Sequence, residues 1–154
     1  MQKRTLIFIV LLLLIPQVVH AHPADMYFHT HTVNLSADGV QILWELVPGP
    51  MITHVVWHDA DTNGDDLVSD AEALAWVTPL LASFSAELDG APLDLELVGV
   101  QWADDLPALR TGDSPIVIEL RGDWAGLDVA AGHELLLLND YNASNSLSWY
   151  TLNA

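Results

Sequence analysis

Met26–Val47, "MYFHTHTVNLSADGVQILWELV", decides the fold. Two runs rich in aromatic and β-branched residues flank a turn signal, Ser36–Gly39. Such a pattern reads as a strand, a reversal and a returning strand. Strands are expected over Met26–Leu35 and Val40–Val47, with His29 and His31 on one face because side chains alternate along a strand. "PGP" at Pro48–Pro50 stops the pair, since proline cannot donate to a ladder.

Toward the C-terminus the period-2 signal returns. "AELDGAPLDLELVGVQW" reads as a hairpin turning at Asp89-Gly90, with Leu93, Leu95 and Leu97 alternating against Asp94, Glu96 and Val98. Ile116–Leu120, Glu134–Leu138 and Ser148–Leu152 read as further strands, and "ADDLPALRTGDSP" as a loop. Between the two halves the period changes. "MITHVVWH" is compatible with a short helix beginning near Pro50, a residue suited to a first helical turn. Ala71–Phe84 reads as a second helix with Leu74, Val77 and Leu81 on one stripe, kinked or shortened by Pro79.

Between these helices lies "DADTNGDDLVSDAE", Asp59–Glu72, with six carboxylates and one Asn in fourteen residues. Starting at Asp61, the twelve residues "DTNGDDLVSDAE" put oxygen-bearing groups at alternate positions. Asp61, Asn63 and Asp65 fall at positions one, three and five; the Leu67 carbonyl at seven; Ser69 at nine; Glu72 at twelve. A hard cation such as Ca²⁺ needs six to eight oxygens, and this spacing supplies them. The stretch resembles the EF-hand calcium-binding loop. The resemblance implies Ca²⁺ held by Asp61, Asn63, Asp65, Leu67, Ser69 and Glu72, with Val68 pinning the loop to the core. It departs from the pattern at position six, where Asp66 replaces the usual glycine. A register starting at Asp59 is the competing one, and it would leave Asp70 in the bidentate position. The plainer reading is a solvated acidic turn with Asp70 capping a helix.

The fold expected is therefore mainly β: an antiparallel, immunoglobulin-like β-sandwich with an EF-hand-like helix–loop–helix inserted at about 50–84. "MQKRTLIFIVLLLLIPQVVHA" reads as a signal peptide over residues 1–21, with cleavage after Ala21. Its apolar run is shorter than the ~20 residues that span a bilayer, and a retained anchor is the competing reading. Residues 22–154 are expected to form one domain, secreted or periplasmic.

Composition narrows the function. Four Lys and Arg stand against 21 Asp and Glu, and only Arg110 and Arg121 lie beyond the leader. Such a surface repels nucleic acid and attracts cations. The hydrophobic content of 51% and the six Trp indicate a packed fold rather than disorder. Without cysteine, a metal must be held by oxygen or imidazole. No G-x-S-x-G, phosphate loop or cysteine nucleophile occurs, so a binding module is expected rather than an enzyme.

The histidines give the alternative. Cleavage after Ala21 exposes His22, whose amine and imidazole resemble the start of secreted copper proteins with a histidine brace. His29 and His31 follow. His54 and His58 are spaced i, i+4 on one helical face, which suits Zn²⁺, Ni²⁺ or Cu²⁺. Val55 stands where a zinc protease carries its Glu, which argues against protease chemistry. The mature "HP" start, the hairpin ending in "ELVPG" and the acidic loop together resemble secreted bacterial proteins associated with nickel/cobalt-type transporters. That implies a periplasmic accessory handling Ni²⁺, Co²⁺, Cu²⁺ or Zn²⁺, partnered by a membrane metal transporter or another cell-envelope protein. The oligomeric state is not legible.

Overall fold

The computed structural model describes residues 24–124, 128, 131–141 and 148–153. The expected leader and His22 lie outside them. Eight strands form two sheets among the described residues. The first has β1 (Tyr27–Leu35), β2 (Gly39–Pro48), β5 (Glu96–Gln101), β6 (Ile116–Asp123) and β8 (Ser148–Asn153), in the order β5-β6-β2-β1-β8. The second has β3 (Phe84–Leu88), β4 (Ala91–Leu93) and β7 (Leu135–Asn139), in the order β4-β3-β7. The chain is mainly β and its pairs are antiparallel, with one departure. β8 runs parallel to β1, with Tyr27 opposite Ser148.

The hairpin β1–β2 pairs Tyr27 with Pro48 through to Leu35 with Val40. Its alternation buries Tyr27, His29, His31 and Val33 on β1, and Val40, Ile42, Trp44 and Leu46 on β2. β6 continues the same face with Ile116, Ile118 and Leu120. Gly122 extends that row, and an added Cβ there would lie 2.9 Å from the Leu93 side chain. The absence of a side chain at Gly122 lets the segment around β4 close over the first sheet. The connection at Asp89-Gly90 is the expected one. Both residues have positive φ, 52° and 78°, as a tight hairpin turn with matching twist requires.

The helix–loop–helix is the crossover from the first sheet (β2) to the second (β3). Helix α1 (Thr53–Ala60) starts where β2 stops, and the Thr53 hydroxyl donates to the carbonyls of Pro48 and Gly49. Its inner face carries Val56, Trp57 and Ala60 into the core. The second helix is shorter than Ala71–Phe84. Helix α2 (Asp70–Val77) gives way to a 3₁₀ turn, Thr78–Ser83. Pro79 has no N–H to continue the α ladder, so the chain tightens there. The apolar stripe is also corrected. Ala73 and Val77 are buried, Leu81 is half-buried and Leu74 is exposed.

A helix also lies within the stretch read as a loop. Helix α3 (Leu106–Thr111) places Leu109 at zero exposure in the core. Asp105 caps it, its carboxylate accepting from the Ala108 amide at 2.7 Å. The hairpin expected within Ala86–Trp102 is split between sheets. β4 stays with β3, while β5 crosses to pair with β6 through a bulge at Leu97/Gly99.

The candidate metal loop and the histidine-lined core

The acidic loop begins where α1 ends. Asp61 is nearly buried, and its amide donates to the Trp57 carbonyl at 2.8 Å. Its carboxylate turns back into the loop. Oδ1 accepts from the amides of Gly64 and Asp65 at 2.9 and 3.2 Å, and Oδ2 from that of Asp66 at 2.9 Å. One side chain thus gathers three successive N–H groups and sets the curvature of the turn. Two residues take left-handed backbone, Gly64 at φ 74° and Asp66 at φ 63°. Glycine does so without steric cost, whereas Asp does so under strain. Position six of the Asp61 register therefore has the conformation that its usual glycine would supply.

Short acceptor bonds carry the chain onward. Asn63 Oδ1 accepts from the Asp65 amide at 2.8 Å, and Asp65 Oδ1 from the Leu67 amide at 3.0 Å. Val68 is half-buried against the hydrophobic core, while Leu67 is exposed. Ser69, not Asp70, caps α2. It forms a capping box in which Ser69 Oγ accepts from the Glu72 amide and Glu72 Oε2 accepts from the Ser69 amide at 3.0 Å. Glu72 Oε1 reaches across the loop to the amides of Thr62 and Asn63 and the Thr62 hydroxyl, at 2.9, 3.2 and 2.8 Å. The Ser69 amide and hydroxyl, then the Thr62 hydroxyl, hold the Glu72 carboxyl down at about 2. It is ionised at any physiological pH.

Six carboxylates are thus drawn into one loop with no lysine or arginine between Arg4 and Arg110. Their mutual repulsion is relieved only by hydrogen bonds and by cations from solution. Asp61, Asn63, Asp65 and Glu72 all face backbone amides of the same loop, and the donor set is all oxygen, as a hard divalent ion prefers. Among the described residues, no three His, Asp or Glu side chains converge at ligand distance. The carboxylates of Asp61, Asp65 and Glu72 are spent on loop amides, so ion binding requires some of these bonds to be exchanged for metal–oxygen contacts.

The histidines are dispersed. His54 and His58 are exposed on α1. His29 and His31 are 2% and 7% exposed, inside the core. Their rings stack at 6.3 Å with 9° between planes, and Trp44 stacks on both at 5.7 and 5.8 Å. Trp44 Nε1 can only donate, and it lies 2.9 Å from His29 Nδ1, so His29 is neutral with its proton on Nε2. His31 Nε2 lies 3.2 Å from the Asn139 side-chain amide on β7. Burial pushes both histidines down to about 4, the His29 ring also feeling the charge of His31. The i, i+2 face was legible in the sequence. Tyr27 lies on that same face of β1, but the surrounding Trp44, Phe84 and Tyr141 were not legible, because they come from separate elements.

No protein-family model, no curated protein and no solved structure matches this chain.

Proposed function

We propose that this chain is a secreted calcium-binding module, an immunoglobulin-like sandwich whose inserted EF-hand-like loop holds one Ca²⁺. One observation carries the reading. Asp66 adopts φ 63° at the sixth position while the Asp61 carboxylate gathers the amides of residues 64–66. A simple helix cap requires neither feature. Asp61, Asn63, Asp65 and Glu72 would hold the ion through side chains, Leu67 through its carbonyl and Ser69 through its hydroxyl or a water. The role is structural. The loop joins α1 to α2, and these carry the chain between sheets, so an ion there ties the crossover together. The module has no catalytic role.

A transition-metal accessory role would rest on His22, His54 and His58. Using His29 or His31 would cost the core a stacked ring and leave Trp44 or Asn139 without its imidazole partner. Calorimetric titration of metal-free chain 22–154 tests both readings. One Ca²⁺ per chain, lost in Glu72→Gln, is the expected outcome. Tight Ni²⁺ or Cu²⁺ binding without Ca²⁺ heat would overturn it.

A further inference from the structure

A cleft of about 720 Å³ opens between α1 and α2, bordered by the start of β1 and by Tyr141. Of the twelve residues Asp61–Glu72 it takes in Thr62 and Glu72, and it also takes in Asp59 and Ala60 at the end of α1. Its aromatic lining is Tyr27, Trp76 and Tyr141. The two tyrosine rings meet edge to face at 5.4 Å, and their hydroxyls share a hydrogen bond. Trp76 is held from behind by Trp102, edge to face at 5.2 Å. Aliphatic side chains of both helices complete the walls. Three carboxylates line the same space: Asp25, Asp59 and Glu72. Burial and the neighbouring Tyr141 raise the Tyr27 phenol's pKa, and the charge of nearby Asp59 adds to the rise. No lysine, arginine or histidine lines the cleft among the described residues.

Glu72 is committed to Thr62, Asn63 and Ser69. Asp25 and Asp59 are exposed and enter no hydrogen bond or ion pair among the described residues, which leaves their carboxylates open to a ligand beside an apolar wall. Each class of ligand fares differently there. An anion is repelled. A neutral molecule gains only contact area. A bare metal ion gains nothing from aromatic and aliphatic walls. A positively charged nitrogen on an apolar body gains on both counts, since carboxylates attract its charge and the faces of Tyr and Trp attract it through their quadrupoles. The volume falls in the range of small-molecule sites.

From this lining we infer that the cleft is a binding site for a small organic ammonium ion, held by Asp59 and Asp25 against Tyr27, Trp76 and Tyr141. The site is independent of the calcium reading, because neither aspartate belongs to the Asp61–Glu72 ligand set.

The test is calorimetric titration of chain 22–154 in EDTA with phenyltrimethylammonium, benzyl alcohol and phenylacetate. Saturable binding of the cation is expected, at least tenfold tighter than the alcohol, with none of the anion. Asp59→Asn should weaken the cation at least tenfold and leave Ca²⁺ affinity, measured separately, unchanged. Asp94→Asn, an exposed acid outside the cleft, should change nothing. An equal loss in Asp94→Asn would mean that the molecule's overall charge attracts the cation, and the proposal fails. It fails also if cation and alcohol bind alike. On the unmodified chain, cross-relaxation should connect the N-methyl protons to the Tyr27 and Trp76 rings. Cross-relaxation to other aromatic rings alone would overturn the assignment without any variant having to fold.

Discussion

Asp66 holds a left-handed backbone at φ 63°. A side chain there costs up to about 1–2 kcal/mol against glycine, less for Asp, which can bond locally. Asp66→Gly should therefore raise stability by about 0.5–1 kcal/mol, read as a higher urea midpoint at unchanged slope. The strain is present without metal, so the gain should appear in EDTA. A lower midpoint would mean that the Asp66 side chain serves the loop in some other way. His29 and His31 give the second residue-scale outcome. Their folded pKa lies near 4 against about 6.5 unfolded, so the unfolded chain binds protons first as pH falls. Their contribution is fully present above pH 6.5 and is lost between 6.5 and 4. Each histidine accounts for up to about 3 kcal/mol of that loss. Among the described residues, Tyr27, Trp44, Phe84, Tyr141 and Asn139 face them, and none carries a charge in this window. His133, raised by its hydrogen bond to Asp89, gains stability as pH falls, but it is exposed and screened. Urea unfolding at pH 7 and pH 4.5 should show the drop, and His29→Leu/His31→Leu should flatten it. A wild-type chain equally stable at both pH values would contradict the buried neutral pair.

At the scale of elements, α3 shows what the sequence held and what went unread. Asp105, Pro107 and Gly112 mark its start and end, yet the segment reads as a loop because six residues are too few for a helical period to emerge. Asp105→Ala removes the cap and should cost about 0.5–2 kcal/mol, measurable by urea unfolding, without altering Ca²⁺ affinity. The hairpin β1–β2 was legible to within a residue at each end, since burial on one face imposes strict alternation. The split of β5 from β4 and the parallel pairing of β8 with β1 were not legible. Both depend on partners far away in sequence, and alternation reports a strand's faces, not its neighbours. The candidate loop divides the same way. Ligand spacing and the Ser69–Glu72 capping box are local patterns and can be read directly. The direction of the Glu72 carboxylate, toward Thr62 and Asn63, is tertiary and cannot.

At the scale of the whole molecule, charge dominates. Four basic residues face 21 acidic ones, and two of the four lie in the expected leader. Folding brings these acids closer together, so self-repulsion opposes the compact state and salt relieves it. Raising NaCl from about 10 mM to about 300 mM shortens the Debye length from roughly 30 Å to below 8 Å and should raise the unfolding midpoint of every variant that keeps this charge. Ca²⁺ should act beyond screening. At ten times its dissociation constant, a single site on the folded chain adds about 1.4 kcal/mol. The two effects separate in Glu72→Gln, measured by thermal unfolding in EDTA, in NaCl, and in CaCl₂ and MgCl₂ of matched ionic strength. The variant should keep the NaCl response, because it loses one acid of 21, and lose the excess of CaCl₂ over MgCl₂. If that excess is absent in the unaltered chain, the acidic loop is a screened turn and the calcium reading falls. If it persists in Glu72→Gln, Ca²⁺ binds elsewhere on this acidic surface. Only its disappearance with Glu72 ties the stability of the crossover between the sheets to one ion in one loop.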